Sequence, residues 1–226
     1  MEKSQCRFCE MKSLASKKLT RSELDSMGNN CAKVQFEPGD IIIKEGALST
    51  HLAYITTGLV KIHMKGPIRE KIMKIVKAPA YLCLLSSFGD KVNIFSATAI
   101  ETTSVCFINL ETFKGFIYGN GDFAYQIILD MSKGEIKNFH NLINNAQKQN
   151  MGKVADAILF FARDIYESDS FNLPVSRQEL ADLTSITRES ASRILSDFYR
   201  EKIIDIQGHK ISILNESLLR QISENG

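Results

Sequence analysis

The sequence predicts an α+β chain: a β-barrel of jelly-roll type, one long helix, and a C-terminal helix-turn-helix with a β-hairpin wing. Three observations predict it. Between Val34 and Leu110, short apolar and β-branched runs alternate with Gly, Pro, Asp and Ser, the mark of many short strands joined by turns. From about Asp122 to Gln149 the apolar residues recur at helical period. Residues 173–200 hold two short helical patterns joined by weak helix formers, and two β-rich runs follow.

The elements can be justified in order. Residues 1–30 are polar; Cys6-Arg-Phe-Cys9 opens them, and Thr20-Arg-Ser-Glu23 caps a short helix containing Leu24 and Met27. Phe36-Glu-Pro-Gly-Asp40 is a turn before Ile41-Ile42-Ile43, and Glu45-Gly46 is the next. Leu52–Ile55 and Leu59–Ile62 are strands on either side of Thr57-Gly58. Further strands fall around 69–77, 92–99 and 103–109. In the long helix Leu129, Ile136 and Ile143 stand seven apart, as do Ser132, Phe139 and Ala146. That is a heptad-like seam, and Leu129, Ile136, Phe139, Ile143 and Ala146 are expected to pair with a second copy of the chain. Met151-Gly152 reads as a hinge. Val154–Tyr166 reads as an amphipathic helix with Val154, Ile158, Phe161 and Ile165 inward, and Glu167–Asn172 as a polar loop. The expected domains are therefore 1–121, 122–150 and 151–226.

Ser176 and Glu179 form a capping box for the first helix of the helix-turn-helix, and Thr187 caps the second. Ala191, Ile194, Leu195 and Phe198 face inward, which leaves Arg188, Glu189, Ser192 and Arg193 outside near the N-terminal end. That end is what such a motif presents to base edges in the major groove. Arginine grips guanine in bidentate fashion, and glutamate accepts from the cytosine amino group. Ser176, Arg177, Gln178, Thr187 and Lys210 are expected at backbone phosphates, with Lys210 in the wing between Ile203–Ile206 and Ile211–Leu214.

Composition sets limits. The 226 residues are 44% hydrophobic with a net charge of +2. Residues 151–226 carry 9 Lys+Arg against 12 Asp+Glu, a net −3, which argues against a nonspecific polycation and leaves room for a specific reader with a few placed cations. No apolar run approaches the ~18 residues of a membrane span. Nothing near Met1 looks like a signal peptide. With five cysteines, an odd count, a cytoplasmic protein without a disulfide framework is expected. No nucleophile elbow or metal-ligand spacing suggests an enzyme.

Barrel, long helix and winged helix-turn-helix in this order resemble the CRP/FNR family of bacterial transcription regulators. The matching words are Phe36-x-Pro-Gly-Asp40, Glu45-Gly46, Tyr54-Ile55-x-x-Gly58-x-Val60 and Arg188-Glu189-x-x-x-Arg193-Ile194-Leu195. The resemblance implies a cyclic-nucleotide-binding-like barrel, a dimerisation helix, and a homodimer on palindromic double-stranded DNA that recruits or blocks RNA polymerase. It also implies base contacts by Arg188, Glu189 and Arg193. Glu189, Ser192 and Arg193 fit the Glu-x-x-Ser-Arg arrangement of the FNR branch.

The same resemblance bears on the trigger. Relatives that hold cyclic nucleotide carry Gly-Glu and, later, Arg-Ser or Arg-Thr. Cys83-Leu84 and Phe95-Ser96 align there, so the charge-assisted bonds to phosphate and ribose are missing and cyclic AMP is not the expected effector. Leu82, Leu84, Leu85, Phe88, Ile94 and Phe95 make the region apolar. It reads either as a filled core or as a pocket for an unknown apolar or heterocyclic effector, with Tyr81, Leu82, Leu84, Phe95 and Ser96 lining it. FNR proteins bind an iron–sulfur cluster through Cys-x2-Cys-x5-Cys and one barrel cysteine. Cys6, Cys9 and Cys106 match three of these, and the other position falls on Ala15. A cluster needs four thiolates, so Cys31 or Cys83 would have to stand in. Otherwise the pair binds zinc, forms a redox couple or is vestigial. The alternative function is a redox- or metal-sensing or apolar-ligand-binding module that acts mainly through protein contacts.

Overall fold

The computed structural model describes residues 2–3, 6–82, 84–89 and 92–226. The chain divides into two compact units: residues 1–69 with 73–135, and residues 136–226 with the short stretch 70–72.

In the N-terminal unit the strands form two antiparallel sheets, the jelly-roll-like arrangement the sequence predicts. One sheet runs β1 (Glu2–Lys3), β2 (Cys31–Phe36), β9 (Thr103–Asn109), β4 (His51–Thr57), β7 (Ala80–Leu82). The other runs β3 (Ile41–Ile43), β8 (Ser96–Ala99), β5 (Leu59–Lys65), β6 (Glu70–Lys77). Side chains alternate across a strand, and β4 is buried on both faces. Ala53 and Ile55 join Ile43, Val60, Leu82, Ala97 and Val105 in the core shared by the two sheets. Leu52 and Tyr54 point the other way, into a second core.

That second core is closed by segments with little strand character. α1 (Arg21–Asn29) begins at the Thr20–Glu23 capping box, in which the Thr20 N–H donates to the Glu23 carboxylate at 2.7 Å. This bond is the main reason the Glu23 carboxyl sits below its ordinary pKa. α1 contributes Leu24 and Met27, Leu84 of the short α2 (Leu84–Phe88) packs against them, α3 (Leu110–Gly119) contributes Phe113 and Phe116, and α4 (Gly121–Gln147) contributes Phe123 and Ile127. α3 was not anticipated: it follows β9 without a break, with the Asn109 side chain accepting from the Thr112 N–H as its cap. Gly58 makes the turn between β4 and β5 at φ +98°, where a Cβ would stand 2.4 Å from the Thr103 Oγ1. Glycine is required there on both counts.

In the C-terminal unit α5 (Asn150–Phe160) continues as a π-turn over Phe161–Ile165. Val154, Ile158, Phe161 and Ile165 are all buried, as the sequence pattern predicts. The hinge expected at Met151-Gly152 is not there. Both residues lie inside α5, and Gly152 is buried, where a Cβ would come within 2.8 Å of the Gly226 backbone. The glycine serves close packing, and the helical run breaks earlier, at Lys148-Gln149. Lys148 bridges to Asp156 at 2.9 Å, and Asp156 also accepts from Asn144 and Ser223.

The expected loop Glu167–Asn172 contains a strand, β10 (Ser170–Asn172), which pairs with β12 (Lys210–Ile213). With β11 (Ile204–Gln207) the wing has three strands. α8 (Glu216–Asn225) closes the unit, and Arg163 donates to both Glu216 and Asp169. Among the described residues no helix is long and apolar enough to cross a membrane.

Candidate nucleic-acid interface

α6 (Arg177–Thr184) and α7 (Arg188–Arg200) are set by their caps. The Ser176 side chain accepts from the Glu179 N–H, and the Glu179 carboxylate accepts from the Ser176 N–H. Ser185 ends α6 in the left-handed region at φ 60°, its N–H donating to the Ala181 carbonyl. Two residues later the Thr187 hydroxyl accepts from the Ser190 N–H at 3.1 Å and starts α7. The turn is therefore two helix ends capped back to back, each cap worth about 1 kcal/mol.

α7 is held by its inner face. Ala191, Ile194, Leu195 and Phe198 are at most 2% exposed. Burying the three larger side chains contributes roughly 1.5–3 kcal/mol each. Helical period then fixes the outer face: Arg188, Glu189 and Arg193 are exposed and Ser192 half-buried. Among the described residues the side chains of Arg188, Glu189 and Arg193 make no hydrogen bond or ion pair, so binding a base edge breaks no contact of theirs within the chain. The expected reader residues thus share one solvent-facing surface at the N-terminal end of one helix.

The expected phosphate residues divide. Ser176 and Thr187 are exposed but spend their oxygens on the caps. Gln178 is tied to Asp182 at 3.1 Å. Lys210 is exposed on the wing. Arg177 departs from expectation: it folds into a small pocket with Val175, Gly208 and His209, and its Nη1 is buried without a hydrogen-bond partner among the described residues. Burial lowers its pKa. An unpaired buried guanidinium N–H is costly, and either an anion entering this pocket or outward rotation of the side chain would relieve it.

The residues expected to line an effector pocket do not come together. Tyr81 and Leu82 are neighbours on β7 and so point to opposite faces. Leu82 and Phe95 are part of the core between the sheets, whereas Tyr81 and Leu84 pack on the second core. The Tyr81 ring lies 4.7 Å from Tyr54 and 5.7 Å from Phe113, and its hydroxyl is 2.7 Å from the Ser13 Oγ. Burial raises its pKa. The Ser96 Oγ accepts from the Glu45 N–H. Phe88 and Ile94, expected inside, are 42% and 46% exposed. Cys83 and Lys91 lie outside the described residues.

The cysteines hold the largest surprise. Ala15, in the place of a family ligand, is fully buried in the second core. Cys6, Cys31 and Cys106 are buried in that same core, and Cys9 is half-buried. The Cys31 thiol is in hydrogen-bonding contact with the thiols of Cys106 and Cys6, and these contacts raise its pKa. Cys31 pairs with Ile108 and Cys106 with Lys33, so the two stand diagonally on one face of neighbouring strands. As they stand, no three His, Cys, Asp or Glu side chains among the described residues are arranged to hold a metal ion. Sequence spacing alone could not find Cys31, because its neighbours are set by strand register.

Comparison with known proteins agrees with this architecture. The cyclic nucleotide-binding domain profile matches residues 33–120, and the Crp-like helix-turn-helix domain profile matches 152–222. The fumarate and nitrate reduction regulatory protein of Yersinia pestis is 24% identical over 97% of this chain and 90% of its own length. That of Vibrio cholerae is 26% identical over 96% and 90%. Among solved structures, FixK2 from Bradyrhizobium japonicum superposes with a TM-score of 0.76 at 20% identity, covering 85% of this chain and 96% of its own. A putative transcriptional regulator from Eubacterium rectale gives 0.79 at 16% identity, covering 94% and 98%. With the two profiles in this order, and relatives aligned over nearly its whole length, the chain belongs to the CRP/FNR family of transcription regulators, with a cyclic nucleotide-binding domain followed by a Crp-like helix-turn-helix DNA-binding domain.

Proposed function

We propose that this regulator reads a palindromic DNA site as a cytoplasmic homodimer, with Arg188, Glu189, Ser192 and Arg193 at base edges. The observation that carries the reading is the outer face of α7: three charged side chains, exposed and unpaired among the described residues, on a helix whose inner face is locked in the core. Arg188 and Arg193 suit guanine, and Glu189 suits the cytosine amino group. Lys210 and the N–H groups at the starts of α6 and α7 serve the backbone phosphates. Arg177 serves them once a phosphate reaches its pocket. The net charge of −3 over residues 151–226 favours selective over nonspecific binding.

The dimer rests on α4. Ile136, Phe139, Leu142 and Ile143 are each more than half exposed, an apolar stripe that a second copy of the same helix would cover. The two reader helices then fall about one DNA turn apart, ~34 Å. Bound this way, the protein recruits or blocks RNA polymerase. Cyclic AMP does not suit the barrel, since Phe95, buried in the core, stands where an arginine would meet the cyclic phosphate.

Binding-site selection with the full chain, followed by gel shifts, tests the reading. Arg193→Ala should weaken the selected site by ~1–3 kcal/mol and relax selectivity at one position per half-site. Unchanged affinity and unchanged selectivity would remove Arg193 from the reader set.

A further inference from the structure

From Ile136 onward α4 belongs to the same compact unit as α5, α6, α7 and α8, yet it buries no side chain there. The buried residues of α4 are Phe123 and Ile127, both earlier in the helix. Between 136 and 147 its half-buried residues are Asn138, Asn144 and Asn145, all polar, and its apolar residues are exposed. α5 is the reverse case. It buries Val154, Ala155, Ile158 and Leu159 and packs on α6, α7 and α8, so its core is continuous with that of the reader helix.

The link between the two helices is Lys148-Gln149. Gln149 is extended, at φ −69° and ψ 164°, and its side chain does not cap α5. Such a link fixes no angle by itself, because φ and ψ are the soft torsions of the chain. What crosses it is a set of polar side chains that converge on Asp156. The Lys148 Nζ lies 2.9 Å from Oδ2, Asn144 donates to the same oxygen at 3.1 Å, and Ser223 donates to Oδ1 at 2.5 Å. Lys148 also donates to Ser223 at 3.2 Å. The end of α4, the middle of α5 and the end of α8 thus meet on one carboxylate. Ser223 is 5% exposed and the Lys148 side chain 16%, which screens this cluster less than an open surface pair. Further back along α4, Lys137 bridges to Asp164 at 3.0 Å and lies 5.3 Å from the centre of the Phe160 ring. Apolar burial is non-directional and lets a contact slide, whereas charge-assisted hydrogen bonds hold one geometry.

We propose that Asp156 is a positioning residue: with Lys148, Asn144 and Ser223 it fixes the angle at which α5 and the reader helices leave the dimer helix, and so sets the half-site spacing that the protein accepts. Asp156 itself touches no base. It acts through α5 on the placement of α7. The effect on spacing rests on the homodimer reading given above; the polar joint does not.

The test uses the full chain with its selected palindrome, the same palindrome with one base pair added at its centre, and an isolated half-site. In Asp156→Ala the preference for the original spacing over the lengthened one should fall about 10-fold, as the loss of a charge-assisted hydrogen bond allows, while half-site affinity stays as it was. A residue that merely supports the fold would lower half-site and palindrome binding together. Lys148→Ala should relax the spacing in the same direction, and adding it to Asp156→Ala should change little more, because both remove one joint. Amide exchange of the DNA-free chain needs no operator: residues 148–153 should exchange about 10-fold faster in Asp156→Ala, with α7 unaltered. A chain that selects no palindrome ends the spacing role together with the dimer reading, and the exchange still tells whether Asp156 fixes the joint. Three results would overturn the proposal: an unchanged spacing preference in Asp156→Ala, half-site affinity falling as far as that for the palindrome, or unchanged exchange across the link.

Discussion

Ile136→Asp combined with Ile143→Asp puts the dimer reading at risk most directly. In the single chain these side chains are 57% and 52% exposed. Covering what remains of each recovers about half the value of a fully buried isoleucine, ~1 kcal/mol apiece. Two positions in each of two chains make about 4 kcal/mol. At ~1.4 kcal/mol per decade, that is nearly a thousand-fold in the dimer dissociation constant. The figure is a floor, because each aspartate also brings a charge into an apolar contact. Sedimentation velocity over a concentration series reads the change. Asn141→Asp, on the opposite side of the helix, is the control and should leave the constant alone. Because both isoleucines are exposed in the single chain, far-ultraviolet circular dichroism should be unchanged, which separates dissociation from unfolding. A doubly substituted chain that dimerises with the original constant refutes the reasoning and moves the contact off this stripe.

Other expectations follow from single side chains. Lys210→Ala should weaken binding to all DNA sequences alike and lower the salt slope by about 1; an unaltered slope in a salt titration takes it off the phosphate list. Gly58→Ala should destabilise the N-terminal unit by at least ~2 kcal/mol, since it combines a positive φ with a Cβ contact of 2.4 Å; a denaturant midpoint that does not move would contradict that geometry. Arg163 first, and then Arg220, hold the Glu216 carboxyl below its ordinary value of 4.5. Its contribution to stability is therefore in place above about pH 4.5 and is lost as pH falls through the depressed value. In Glu216→Gln melting temperature should fall less steeply on the acid side, and an identical acid limb would argue against the contribution.

Much of the fold was legible because local chemistry specifies it. The capping boxes at Thr20–Glu23 and Ser176–Glu179 form as their spacing requires. The inner face of α7 is the one its apolar period marks, so the outer reader face follows from the sequence with no tertiary information. The misreadings share a cause. Gly152 looked like a hinge because glycine is permissive, but it is the small residue that lets Gly226 approach. β10 looked like a loop because its polarity hides a strand whose partner, β12, lies some forty residues on. Tyr81 and Leu82 are neighbours in sequence, but a strand turns them to opposite faces and into different cores, so they line no common pocket.

By itself, the sequence determined the long helix, the two helices of the helix-turn-helix with their caps, the wing hairpin and the charged outer face of α7. Each depends on residues within about one helical turn or one hairpin of each other, where periodicity and capping decide the outcome. Only the tertiary structure decided that Cys31 meets Cys6 and Cys106, that Ala15 is sealed in the core, and that Arg177 folds under the wing. Those contacts depend on strand register and on how one element lies over another. A register shift of a single residue would turn Cys31 to the opposite face of its sheet, and nothing in the order of letters around it specifies which way it points.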